Sequence, residues 1–168
     1  WTASLSLNGV SSLYAAQSTD FDFDVFDFTI EAWIYYASGS VFSIFGKNTT
    51  TNSIYLYVGG ISGTRLILAI NGYDLMSTGI VNKNMWVHVA ATRAAGTTRV
   101  FINGTLYNTT TAQSSCPIVS NIATIGAYND GTTTQNYSNG YIDDLRITKG
   151  LARYVDSFAP PIAQFPDL

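Results

Sequence analysis

Charge is scarce in this chain: Asp, Glu, Lys and Arg make up 11% of 168 residues, eight basic against eleven acidic, for a net charge of −3. With a pI near 4.7, it lacks the basic footprint that nucleic acid or an anionic membrane surface requires. Cysteine is limited to Cys116, which excludes an internal disulfide, and histidine to His88. With one of each and no Gly-x-Ser-x-Gly elbow, there is no basis for a nucleophilic triad or for a zinc site built from several His or Cys. Glutamate is equally rare, Glu31 being the sole example. No apolar run approaches the roughly 18 to 20 residues of a membrane span, and no charged start followed by an apolar stretch marks a signal peptide. The chain opens at Trp1 without an initiator Met, so it is expected to be processed or excised from something longer. Helical periodicity over ten or more residues is missing as well.

What is present is apolar residues, at 46% enough for one sizeable core over residues 1–168, together with abundant Thr, Ser, Asn and Gly. Short alternating runs separated by turn residues predict an all-β chain. Asn8-Gly9, Asn71-Gly72 and Asn103-Gly104 have the dipeptide chemistry of tight hairpins, so residues 3–7 and 12–16 are expected to form an opening hairpin. Uncharged hydrogen-bonding surfaces of this kind suit sugars. Four Asn-X-Ser/Thr triplets, at Asn48, Asn103, Asn108 and Asn136, read either as glycosylation acceptors in a eukaryotic secretory route or as chance in Asn- and Thr-rich loops.

Residues 137–154, YSNGYIDDLRITKGLARY, predict the last strand. Alternation breaks at Asp143-Asp144, as it does where an extra residue bulges out. Two adjacent carboxylates there must face water, pair with Arg146 or Lys149, or hold a cation. GLARY predicts one helical turn, and Pro160-Pro161 an extended exit unable to join a further strand. In residues 20–27 Asp20, Asp22, Asp24 and Asp27 interleave with aromatic and apolar residues. Either the rings plug the core while the carboxylates stay solvated, or two carboxylates ligate Ca²⁺. Further on, Phe28, Ile30, Ala32 and Ile34 form a core face. Thr29, Glu31, Trp33 and Tyr35 share the opposite face, which reads either as a sugar floor of carboxylate and rings or as a half-covered surface with Glu31 paired to Arg or Lys. His88 is expected to pack against a neighbouring strand, and Cys116 to be a small half-buried hydrophobe.

The segment NGYIDDLRITKGLARY followed by FAPP resembles the closing signature of laminin-G-like, concanavalin-A-like jelly-roll domains, particularly their bacterial and phage-associated branch. DFDFDVFDFTIEAWIY (20–35), MWVHVAATR (85–93) with TRVFINGTL (98–106), and ATIGAYNDG (123–131) match that pattern in order. The resemblance implies a two-sheet antiparallel β-sandwich whose last strand returns beside the first. It also implies a structural Ca²⁺ clamp, for which the matching positions are Asp144, Asp143, Asn8 and Gly9. The laminarinase-like hydrolases of this fold carry a Glu-x-Asp-x-x-Glu strand motif, and this chain has no second Glu. The leading expectation is therefore a non-catalytic, lectin-like module of an extracellular, cell-surface or phage tail-fibre protein. It would bind a glycan or cell-surface polysaccharide through Glu31, Trp33, Tyr35, Asp74, Asn129 and Asp130. The alternatives are a self-associating subunit of a virion or filament and, third, a diverged hydrolase.

Overall fold

The computed structural model describes residues 3–49, 52–60, 64–112 and 115–165. Its strands form two six-stranded sheets with antiparallel pairings. The first runs in the order β1 (Leu5–Asn8), β14 (Asn139–Lys149), β3 (Phe28–Ser38), β8 (Trp86–Ala94), β9 (Thr97–Ile102), β10 (Thr105–Thr110). The second runs β2 (Leu13–Ala15), β11 (Ala123–Ile125), β4 (Phe42–Asn48), β5 (Ser53–Gly59), β6 (Arg65–Ile70), β7 (Tyr73–Met76). A small hairpin of β12 (Tyr128–Asn129) and β13 (Thr134–Gln135) lies apart from both sheets, with β12 against β4. The strict period of two sorts side chains to opposite faces. Phe28, Ile30, Ala32, Ile34 and Tyr36 of β3 and Val87, Val89 and Ala91 of β8 therefore meet Leu56, Val58, Leu66, Leu68 and Ile70 in the buried core between the sheets.

The last strand does return beside the first: Leu5 pairs with Ile142 and Asn8 with Asn139. The bulge falls where alternation broke, since Asp143 pairs with Trp33 and Arg146 with Glu31, leaving Asp144 and Leu145 opposite Ala32. Asp144 takes φ +47 to accommodate the extra residue. Asn71-Gly72 and Asn103-Gly104 are hairpin turns with positive φ at both residues, as their dipeptides require. Ala95-Gly96 makes a third such turn with the same backbone.

Two expectations are corrected. β1 and β2 do not form a hairpin: the chain crosses between sheets after Asn8-Gly9, because β1 finds its partner in β14 and β2 in β11. The GLARY segment makes no helical turn either, and residues 150–158 run as an irregular strap over the outer face of the first sheet. Thr29 Oγ1 donates to Leu151 O and accepts from Arg153 N, and Thr92 Oγ1 donates to Tyr154 O. The strap's backbone is satisfied by the sheet it covers, so it has no need of helical hydrogen bonds.

At one end of the sandwich, the aromatics of residues 20–27 partly plug the core as expected: Phe23 is fully buried and Phe21 packs on Phe45. Asp22, however, is not solvated. It lies buried and accepts from Lys47 Nζ at 2.6 Å, while Lys47 Nζ also donates to Ser18 O and Asp22 accepts from Val119 N. Nearby, Arg93 is buried and donates to the carbonyls of Asp24 and Phe26. Cys116 is buried beside that guanidinium, and burial pushes its thiol up to about 11 although Arg93 pulls the other way. Removing one member of a buried ion pair typically costs about 3–5 kcal/mol, because the surviving charge is stranded. Lys47→Met should lower unfolding free energy in urea by that amount, and adding Asp22→Asn should recover more than half of it. Additive losses in the double mutant would show that the two charges do not interact.

Candidate functional site

The outer faces of the two sheets point away from each other, and the residues expected to meet sugar are divided between them. Glu31, Trp33 and Tyr35 lie on the first sheet, Asp74 on the second, and Asn129 and Asp130 in the hairpin beside the second. They are not one site.

On the first sheet the residues fall into cross-strand rows. One row aligns Arg146, Glu31, Ala90 and Phe101, and it lies beneath the strap. Tyr154 and Phe158 of the strap stack on each other at 3.5 Å and meet Phe101 edge-on. Glu31 is fully buried there. Its Oε1 accepts from Arg146 Nε and Nη2 at 2.9 and 2.7 Å, its Oε2 accepts from the Tyr154 hydroxyl at 2.9 Å, and His88 Nε2 lies 3.3 Å from Oε2. Burial alone would raise the carboxyl's pKa, but the His88, Arg146 and Tyr154 contacts outweigh it and hold the group below its ordinary value. Burial and the Glu31 carboxylate together push the Tyr154 phenol up to about 12. The sugar-floor expectation for Glu31 is thus corrected: it is a paired, strap-covered carboxylate, the other reading its neighbours allowed.

Trp33 and Tyr35 are half-buried on the same face, outside the strap's anchoring rows. Trp33 meets His88 edge-on, and Tyr35 lies between Tyr141 on β14 and Trp86 on β8 at 5.8 and 5.9 Å.

On the second sheet, Tyr55 and Tyr57 share the outer face of β5 by the i, i+2 rule and stack at 4.5 Å, while Tyr128 of the small hairpin meets Tyr55 edge-on at 5.1 Å. The Tyr55 hydroxyl is bonded to Ser43 Oγ. Tyr57 reaches across β6 to within hydrogen-bonding range of Asp74 on the edge strand β7, and Ile67 on the intervening strand is buried. Burial and the adjoining Asp74 carboxylate push the Tyr57 phenol up to about 12; burial raises the Asp74 carboxyl while the Tyr57 hydroxyl draws it back. The result is a line of rings, Tyr128–Tyr55–Tyr57, that ends in an exposed carboxylate. Asn129 and Asp130 adjoin this line but serve their own turn. Asn129 Oδ1 accepts from Gly131 N and Asn121 Nδ2, and Asp130 Oδ1 accepts from Thr132 N, Thr133 N and Thr132 Oγ1. The Thr132 and Thr133 hydrogen bonds hold the Asp130 carboxyl far below the usual carboxylate range. The tyrosines were readable as an alternation in Ser53–Gly59, yet nothing in the sequence tied Tyr57 to Asp74.

The positions implied for calcium are spread along the paired strands β1 and β14. Asn8 pairs with Asn139, so Asp143 is four residues farther along β14, about 13 Å at the rise of a strand. Calcium ligands must all lie within about 2.6 Å of one ion. Asn8 Oδ1 instead accepts from Val10 N and Ser11 Oγ, Gly9 N donates to Ser138 O, and Asp143 Oδ1 accepts from Asp144 N. Burial and the neighbouring Asp143 raise the Asp144 carboxyl, against which the Phe165 N–H and Arg146 pull. Among the described residues no group of three or more His, Cys, Asp or Glu suits a metal ion.

This architecture has relatives. Residues 8–152 match the sequence profile of the concanavalin A-like lectin/glucanase superfamily. The chain belongs to that superfamily. No curated protein sequence matches it. Domains LG4-5 of the mouse laminin alpha1 chain superpose with a TM-score of 0.67 at 12% identity, covering 86% of this chain and 40% of that one. Domain 4 of an extracellular arabinanase from Geobacillus stearothermophilus, solved with arabinotriose, gives 0.66 at 19% identity, with 88% and 70% covered. The CBM40 of the Ruminococcus gnavus IT-sialidase bound to α2,3 sialyllactose gives 0.63 at 17% identity, with 85% and 92% covered. At these identities the likeness is one of fold, which hosts both binding modules and catalytic domains.

The Glu31 cluster makes acid a test of the strap. A carboxyl whose pKa is lower folded than unfolded contributes stability above its unfolded value, here near 4.5, and loses it as pH falls through the folded value. Unfolding free energy should therefore fall on acidification below about pH 4.5, and Glu31→Gln should flatten that fall by up to one proton while lowering stability at pH 7. Urea denaturation between pH 3 and 7 measures both effects; parallel curves for the two proteins would mean Glu31 titrates alike folded and unfolded.

Proposed function

We propose that this domain is a non-catalytic carbohydrate-binding module that works outside the cell, on a cell surface or on a virion, with glycan lying on the outer face of the second sheet along Tyr57 toward Asp74. The single observation that carries this reading is the ring line closed by an exposed carboxylate. Sugar rings present C–H-rich faces that pack on aromatic surfaces, and their hydroxyls need a few fixed polar groups at the edge. Tyr57 offers the first and Asp74 the second, and the stack on Tyr55 at 4.5 Å holds the Tyr57 ring before ligand arrives. Membership of a superfamily of lectins and glucanases, together with the fold shared with modules solved on arabinotriose and sialyllactose, supports sugar as the ligand class. The non-catalytic reading rests on Glu31. Glycoside hydrolysis needs two carboxylic acids flanking an accessible bond, and the chain's one Glu is buried with its oxygens taken by Arg146 and Tyr154.

A second reading, a self-associating subunit, is favoured by Val10, Leu13 and Tyr14, which are 76%, 51% and 72% exposed in and just before the outermost strand of the second sheet. Edge strands with apolar side chains invite a partner strand.

A glycan array followed by calorimetry tests the first reading. Tyr57→Ala and Asp74→Ala should each weaken the best glycan at least tenfold, about 1.4 kcal/mol, with circular dichroism confirming that each variant is folded at the assay temperature. Silence across the array together with concentration-dependent assembly in sedimentation would replace the module with the subunit.

A further inference from the structure

The first sheet carries an aromatic surface that this reading of the second sheet does not use. Tyr141, Tyr35 and Trp86 are directly paired across β14, β3 and β8. Adjacent strands lie about 4.8 Å apart, so the backbones of the outer two are about 9.6 Å apart. Their ring centroids are only 6.4 Å apart. Tyr141 and Trp86 therefore lean toward each other over Tyr35, each still 41% exposed. About 6.7 Å along the strands, two residues farther, the next row places Asp143 and half-buried Trp33 beside His88. At its β8 end the strap reaches that row, where Phe158 meets His88 edge-on at 5.7 Å. Phe158 N donates to Gly104 O at the β9–β10 turn, and Phe165 lies over the Arg146 guanidinium at 3.5 Å on β14. The chain between those anchors recrosses the sheet and bounds the aromatic row on that side.

We infer that this row is a second glycan-contacting surface, for a single soluble chain of neutral pyranoses. The inference rests on the carbohydrate-binding reading and extends it to the opposite face. Three features select this ligand. The rings are tilted by 44° to 74° to one another, so they clasp a chain from several sides and would not lie flat on a crystalline polysaccharide. Asp143 in the adjoining row can accept sugar hydroxyls and disfavours acidic sugars, as does the net charge of −3. The exposed ring surface is also too small for a stable protein contact: an aromatic side chain covers about 150–250 Å², so two rings at 41% offer roughly 120–200 Å², against about 800 Å² per partner in a standard interface. Sites on opposite faces let one domain hold two chains at once.

Among the described residues, Trp33 and Trp86 both lie on this face and the second sheet has no tryptophan. Indole emission, recorded in a Trp1→Phe background, therefore reports this surface alone. The probes are cello-, manno- and xylo-hexaose, titrated by fluorescence and by calorimetry. A saturable emission change is expected to persist in a Tyr57→Ala/Asp74→Ala protein and to weaken at least tenfold in Trp86→Ala and Tyr141→Ala, with two glycans bound per wild-type chain and one per variant. Half-exposed positions tolerate these changes, and circular dichroism melting checks the fold. One glycan per chain, silent in fluorescence and lost on substitution of Tyr57, would overturn this inference and leave the second-sheet site standing. No binding by either signal would remove both. Loss of an oligomer in sedimentation on Trp86→Ala, with glycan binding untouched, would assign the row to self-contact and overturn the inference.

Discussion

A carboxylate with no exposed surface is the constraint on which the first sheet depends. Stranding Glu31 among rings without donors would cost several kcal/mol, so the sheet must bring hydrogen-bonding groups to one point on β3. They come from well-separated parts of the chain: His88 from β8, Arg146 from β14 and Tyr154 from the strap. The bulge in β14 is what permits it. Without the extra residue, Asp143 opposite Trp33 would place Leu145 opposite Glu31, and Arg146 would point into the core. With it, Arg146 faces outward onto the carboxylate while Leu145 and Ile147 pack against the core. The strained backbone of Asp144, at φ +47, is the local cost of that register.

The same contact decides which part of the sheet is open. Tyr154 and Phe158 close over Glu31, Phe101 and His88, and Thr29 and Thr92 hold the strap's backbone. Glycine at position 104 matters here for contact as well as conformation. It sits at φ +73, and a Cβ there would collide with the Phe158 carbonyl, which must come close for its own N–H to reach Gly104 O. The covered rows are structural, and the uncovered row keeps its rings half-exposed.

Much of this fold was legible in the sequence, because period-two alternation and Asn-Gly turns are local signals. The bulge at Asp143-Asp144, the strand faces of β3 and the hairpins at Asn71 and Asn103 all follow from neighbouring residues. The failures share one cause. Alternation says which side chains share a face, but not which sheet a strand joins, so Asp74 and Glu31 looked like one site and stand on opposite sheets. Asn8-Gly9 carried hairpin chemistry, yet both flanking strands found stronger long-range partners in β14 and β11. GLARY looked helical because nothing local revealed that Thr29 and Thr92, far back in the chain, would satisfy its backbone. The burial of Asp22 was hidden for the same reason, since Lys47 lies a full sheet crossing away.

The division of polar residues between outer faces also limits the chemistry this architecture can perform. Two packed sheets are about 10 Å apart before their outer side chains are counted, so acids on opposite faces cannot share a substrate bond. On the first sheet the acids near one another are Glu31, Asp143 and Asp144, and Glu31 is sealed beneath Tyr154 while Asp143 is bonded to the backbone of Asp144. On the second sheet Asp74 faces a phenol whose pKa is about 12, a partner that donates a hydrogen bond but moves no proton near neutrality. Each face therefore sets its rings beside its own carboxylates, Asp143 next to the Tyr141–Tyr35–Trp86 row on the first sheet and Asp74 next to Tyr57 on the second, and the two sets stand apart by the full thickness of the sandwich.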